Sequence, residues 1–266
     1  MSDKLKGLSP VYYLNLDEEV ERKIYMENQF DKWKISNVTR FSGSEYKPEN
    51  FDDWKDLLHF PHFYTKQQVR HVCTALSTIK MLEYFLSTDE KYVILMEDDY
   101  DLDLIKYWHF DWEYLMNSIP YDFDSLQLGF ASHLSMSFFL HIKTGHSYFG
   151  PMLITRHYAQ KLVNLFYIKE KYLFMRKSWV YPHNCKYKFV SIDESFGCCG
   201  KVYQLPLITD NPDLDKIPKR SHYASRDLCY WWWQNERDKF SLDDFFSFGK
   251  PNDFEMTHPV DLLKWK

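Results

Sequence analysis

Lys91–Asp101 reads KYVILMEDDYD, and the fold turns on it. The apolar run Tyr92–Met96 stops abruptly in the acids Glu97, Asp98 and Asp99. A short continuous apolar run bounded by polar residues is the pattern of a strand buried on both faces of a parallel sheet. In open α/β sheets the ligand crevice lies beyond the carboxyl ends of such strands. Carboxylates packed there repel one another unless protons or a cation neutralise them. An all-oxygen ligand set suits Mg²⁺ or Mn²⁺, held jointly with a substrate phosphate. The bland alternative is a solvated acidic turn, because carboxylates are mostly exposed. The surroundings of the triplet must therefore carry the argument.

Upstream, Val11–Leu16 (VYYLNL) is a second apolar strand, followed by Asp17. The charged stretch Glu18–Lys34 places Val20, Ile24, Phe30 and Trp33 on one helical face, with Asp17 at the N-cap. Val38–Phe41 reads as the next strand, so the chain opens β-α-β, and a right-handed crossover puts both strands in one parallel sheet. Ser42–Lys66 mixes prolines with aromatics around a short helix at Asp52–Leu58, a long excursion of the kind that forms functional loops. Pro61 stands between His59 and His62, which argues against a helix presenting both to a metal. Gln67–Ser87 is the clearest helix: Val69, Val72, Leu76, Ile79, Leu82 and Leu86 recur at helical spacing with no Gly or Pro between them.

Downstream, Trp112–Met116 is a short helix and Ser125–Leu128 a strand. Phe138–Ile142 and Ser147–Ile154 are read as antiparallel strands, and Thr155 as the cap of a helix over Arg156–Phe166. Lys188–Ile192 reads as a strand leading into a second acidic pair, Asp193–Glu194, and Val202–Leu207 as another strand. TDNPDLDKIP, from Thr209, marks a loop. The expected organisation is one α/β domain over 1–208 and an aromatic-rich C-terminal extension over 209–266 packed on it, with Trp231–Trp233 as packing residues.

Aromatics make up 19 % of the 266 residues and suit core filling, with sugar stacking a secondary use. The net charge of −5 offers no basic field for nucleic acid. MSDKLKGLSP is too polar for a signal peptide, and no apolar run is long enough to span a bilayer. The five cysteines form no C-x-x-C pair, so neither a zinc site nor a disulfide framework is signalled. The expectation is a soluble cytoplasmic protein. Abundant Lys, Asn, Tyr and Phe point to an AT-rich genome, viral or bacterial.

Two strands thus end in polar residues at one rim, Asn15–Asp17 and Glu97–Asp99. That arrangement suits a nucleotide base and ribose near the first, with a diphosphate and metal near the second. A divalent cation neutralises charge building on a departing nucleoside diphosphate. A further carboxylate is needed to take a proton from an acceptor hydroxyl, and Asp193 and Glu194 are the candidates. A late His, His222 or His258, could complete the metal shell.

These residues carry a resemblance. VYYLNLDEEVER at Val11–Arg22 resembles the opening "vINL-D…R" signature of the lipopolysaccharide and collagen sugar transferases, glycosyltransferase family 25. VCTALS at Val72–Ser77 is similar to that family's "iGCalSH" helix, and ILMEDD at Ile94–Asp99 to its "lilEDD" strand. Weaker similarities are SLQLG at Ser125–Gly129, GPMLITRHYAQKL at Gly150–Leu162 and SIDE at Ser191–Glu194. The resemblance covers roughly the first two hundred residues, and its ordered set of segments is more specific than EDD alone.

The resemblance implies a GT-A-type fold, a Rossmann-like mixed sheet flanked by helices. It also implies an inverting transfer of galactose or a similar sugar from UDP-galactose or UDP-glucose to a glycan or other hydroxyl-bearing acceptor. By position it implies that Asn15, Leu16, Arg22, Ser77 and Asp98 bind the donor. Glu97 and Asp99 would then hold Mn²⁺ or Mg²⁺, and Asp193 would face the acceptor. Cys73–Thr74 stands where the family has Gly-Cys, and Thr78 where it has His. Those departures motivate the rival reading, a catalytically inactive member serving as a glycan- or protein-binding module. A nucleotidyltransferase-like enzyme lacks support, since no Gly-rich phosphate loop follows Val11–Leu16.

Overall fold

The computed structural model describes residues 3–129, 137–143, 150–176, 188–215 and 220–247. Val11–Asn15 is buried along its whole length because it lies inside a sheet, between Val38–Ser42 and Tyr92–Glu97, parallel to both. Met152–Thr155 follows, antiparallel to Tyr92–Glu97 and to Ser125–Gly129, and then Val202–Asp210, parallel to Ser125–Gly129. The result is an α/β architecture with a mixed sheet; of the strand expected over Ser147–Ile154, residues 147–149 lie outside the described residues, and Met152–Thr155 is antiparallel to both its neighbours.

Helices cover both faces. On one, Lys66–Ser87 packs Val72, Leu76, Ile79 and Leu82 with Ala159 and Leu162 of Arg156–Phe166 against Val93 and Leu95. The long helix starts one residue before the apolar period suggests because Thr65 caps it. Thr65 Oγ1 accepts from the Gln68 amide at 3.3 Å, and Gln68 Oε1 accepts from the Thr65 amide at 2.9 Å. Thr155 caps the second helix as expected, accepting from the Tyr158 amide at 3.2 Å. The other face buries Met26 and Phe30 of Val20–Trp33 with Leu228, Cys229, Trp232 and Trp233 of Arg220–Asn235. Trp233 Nε1 donates to the Pro206 carbonyl at 2.9 Å, and Trp232 stacks on Phe138 with centroids 4.4 Å apart. The tail helix and the last strand therefore share one core, and that strand runs through Asp210, across position 208.

Several local expectations are corrected. Val20 and Ile24 are exposed, at 54 % and 51 %, because the first helix turns Met26 and Phe30 to the sheet instead. Asp17 does not cap that helix. Arg40 and Ser42 of the neighbouring strand engage its carboxylate, and the helix starts after Glu19 with no side-chain cap. Among the described residues the strand expected over Phe138–Ile142 shrinks to His141–Ile142, and that over Lys188–Ile192 to Lys188–Phe189. Ile192–Cys198 is a helix, so Asp193 and Glu194 stand in its first turn and not just past a strand. Among the described residues, no helix is long and apolar enough to cross a membrane.

Candidate functional site

Leu14 lies opposite Glu97 in the parallel ladder, so the residues after each strand leave the sheet side by side. Asn15 is 1 % exposed and ties the two ends together. Its Nδ2 donates to Asp98 Oδ2 at 2.6 Å and to the Glu19 carbonyl at 3.1 Å, while Oδ1 accepts from Arg40 Nε at 2.8 Å. Asn15 was expected to touch the donor; these bonds engage both ends of its amide with protein, which gives it a positioning role. Asn15→Ala is expected to cost about 2 kcal/mol, because it leaves a buried carboxylate short of a donor. Chemical denaturation checks this, and an unchanged midpoint contradicts it.

Arg22 reaches the same place from the first helix. Its Nη1 lies 3.0 Å from Asp98 Oδ1 and 3.6 Å from Asp99 Oδ2, and its Nη2 lies 3.0 Å from Asp215 Oδ1. A cleft of about 540 Å³ opens in front, lined by Leu16, Arg22, Lys47, Arg70, Ser77, Glu97 and Asp98 among others. The predicted residues Leu16, Arg22, Ser77, Glu97 and Asp98 are thus brought to one concavity. Thr78 is fully buried and its hydroxyl donates to the Thr74 carbonyl at 2.8 Å, so it faces the core.

Electrostatics add Asp193. Burial, then the charges of Asp99, Asp193 and Asp98, hold the Glu97 carboxyl well above the usual carboxylate range, with Arg22 opposing. The helix starting at Ile192 therefore carries Asp193 to the acids. The Glu194 side chain and His258 lie outside the described residues. Asp99 is pushed up to about 7, by burial first; Arg22 opposes, and Asp98, Asp215 and Asp210 add to the rise.

Asp210 and Asp215 were missed. Asp210 ends an apolar run just as Glu97 does, but it falls in the Asp- and Pro-rich TDNPDLDKIP, which reads as a loop from Thr209. The strand tolerates Pro206 because its ladder with Ser125–Gly129 is irregular between Gln204 and Ile208. Asp210 pairs with Tyr100, and the Asn211 amide donates to the Asp99 carbonyl at 2.6 Å. His222 Nδ1 lies 2.5 Å from Asp210 Oδ2 without the alignment of a hydrogen bond. Both oxygens of Asp210, which is 4 % exposed, lack a hydrogen-bond donor. His59 sits elsewhere, 2.7 Å from the Ile168 carbonyl, and His62 packs on Phe63.

Among the described residues no group of three or more His, Cys, Asp or Glu side chains is arranged as a metal shell. Mg²⁺ and Mn²⁺ do not require one, since one or two carboxylates plus substrate phosphates and water commonly hold them. The donor set fits such an ion: hard oxygens, two carboxyls driven toward protonation by burial first and by neighbouring acids second, and an Asp210 carboxylate short of hydrogen-bond donors. No family model matches the sequence, and no curated protein matches it.

Proposed function

We propose that the protein is a metal-assisted glycosyltransferase of GT-A type. It transfers a hexose, galactose or similar, from a UDP-sugar to a hydroxyl of a glycan acceptor, with inversion. One observation carries the reading: Leu16, beyond the first strand, and Glu97 and Asp98, beyond Met96, line a single cleft together with Arg22, Lys47 and Arg70. Carboxylates for a cation beside guanidinium and ammonium groups for phosphates match a metal–diphosphate ligand.

In this reading Leu16 lines the base pocket, and Arg22 and Arg70 face the diphosphate. Glu97 and Asp99 hold Mn²⁺ or Mg²⁺, with Asp210 and His222 adjacent. When bound, the cation offsets charge on the leaving nucleoside diphosphate. Asp193 takes the proton from the acceptor hydroxyl as its oxygen attacks the anomeric carbon and the bond to the diphosphate breaks.

The rival binding-module reading draws on Arg22, which already neutralises Asp98 and leaves less need for a metal. Two measurements separate them. UDP with Mn²⁺ is expected to raise the melting temperature, by about 2.7 kcal/mol of stabilisation at a hundredfold excess over Kd. Purified protein is expected to release UDP from a UDP-hexose in an Mn²⁺-dependent manner, and Asp193→Asn to lose that release at least a hundredfold. No stabilisation by any nucleoside diphosphate with metal overturns both the donor site and the enzyme; stabilisation without turnover favours the binding module.

A further inference from the structure

Arg22 joins two parts of the chain that lie far apart in sequence. Besides its contacts to Asp98 and Asp99, its Nε and Nη2 donate to the Leu214 carbonyl at 3.3 and 3.1 Å, and Nη2 pairs with Asp215. The segment Asn211–Asp215 is thereby held against the acidic triplet, helped by the Asn211 amide on the Asp99 carbonyl. A guanidinium there does what a divalent cation would do in a loaded site, offsetting the charge of Asp98 and Asp99. The two cannot share those oxygens, since each excludes the other by geometry and by like charge.

Positive charge is scarce in this cluster. Glu97, Asp98, Asp99, Asp210 and Asp215 gather there against Arg22 and His222, whose Nδ1 lies 2.5 Å from Asp210 Oδ2, and Asp210 Oδ1 is buried without a hydrogen-bond donor. An arriving cation therefore has an acceptor oxygen waiting at Asp210, and the obstacle to it at Asp98 and Asp99 is Arg22.

We propose that Arg22 is a built-in stand-in cation. In the metal-free protein it clasps Asn211–Asp215 to the acids; a divalent cation at Asp99 displaces it, loosens that segment and turns the guanidinium toward the cleft, where a diphosphate is its next partner. This rests on the metal-diphosphate reading above. It makes metal and nucleotide bind cooperatively, because the nucleotide supplies the anion that the displaced guanidinium has lost.

The test uses Mn²⁺ alone, titrated into the full chain and followed by the electron-spin signal of the free ion. Arg22→Gln is expected to tighten Mn²⁺ binding about tenfold or more, since the competing charge is gone. Arg22→Lys, which keeps the charge, is expected to stay within about threefold of the unmodified protein. Hydrogen exchange of the amides over 211–215 is expected to speed up on Mn²⁺ addition and to be fast already in Arg22→Gln. Equal or weaker Mn²⁺ affinity in Arg22→Gln overturns the displacement while leaving the metal site standing; Mn²⁺ binding to neither protein removes both. Should Arg22→Gln fail to fold, exchange in the unmodified protein decides, and rates unchanged at saturating Mn²⁺ overturn the proposal.

Discussion

Asp99→Asn is expected to make the metal-free protein more stable and the enzyme at least about a hundredfold slower, an opposition that a merely structural acid would not produce. The carboxyl is raised from its ordinary 3.8 to about 7, by burial above all. A carboxyl raised in the folded state contributes stability that is full below about 4, is lost as pH climbs to about 7, and is flat beyond. Asn resembles the protonated acid, so the two proteins should melt alike near pH 4 and diverge by pH 8. The gap is expected at about 2 kcal/mol, roughly half of what the full rise corresponds to, because 18 % of the side chain meets water. For a chain of this length that is ~4–8 °C in Tm. Adding Mn²⁺ with UDP should stabilise the unmodified protein and leave the variant where it was. A variant less stable at pH 8, or still stabilised by metal, would remove Asp99 from the metal site.

Gly200→Ala is the second large effect, and it acts at a distance. A Cβ there would stand 2.6 Å from Tyr158 Cε2 and 2.8 Å from Asp124 Cβ, and closer still to Asp124 Oδ2. None of these can yield freely. Asp124 Oδ2 accepts the Lys201 amide at 2.8 Å, and the fully buried Tyr158 donates its hydroxyl to the Ser195 and Phe196 carbonyls at 3.0 and 2.9 Å. The cost is expected at about 3 kcal/mol in chemical denaturation. The displaced ring pushes on the helix Ile192–Cys198, which carries Asp193, so surviving protein should show a lower kcat with donor affinity retained. A fall in donor affinity with normal kcat would break the link from Tyr158 to that helix.

What the sequence disclosed follows from periodicity. Tyr92–Glu97, Val11–Asn15 and Lys66–Ser87 were legible because burial writes itself as continuous or helical apolar runs, and Thr155 because a cap is a local bond. The meeting of Asn15 with Asp98 was legible as topology, two parallel neighbours ending together. The partners were not. Nothing local says that Arg22 finds Asp215, or that Asp17 gives up the helix for Arg40. Asp193 was read in the right neighbourhood on the wrong element, since a helix that brief is too short to display its period. Asp210 hid in the Asp- and Pro-rich segment from Thr209, whose composition marks a loop although Tyr100–Asp101 pairs with it as strand.

The outermost strand on the far side, Val202–Asp210, has its free side met twice: His141–Ile142 pairs at Tyr203 and Gln204, and Tyr100–Asp101 at Thr209 and Asp210. Both plugs are only two residues long, yet they occupy backbone groups that would otherwise invite a foreign chain. The opposite margin, Val38–Ser42, pairs on one side only among the described strands and is defended differently, by a central arginine committed to Asp17 and Asn15. A second chain that extended this sheet from Val38–Ser42 would have to displace Arg40 from Asp17 and Asn15, and would disturb the rim of the cleft in doing so.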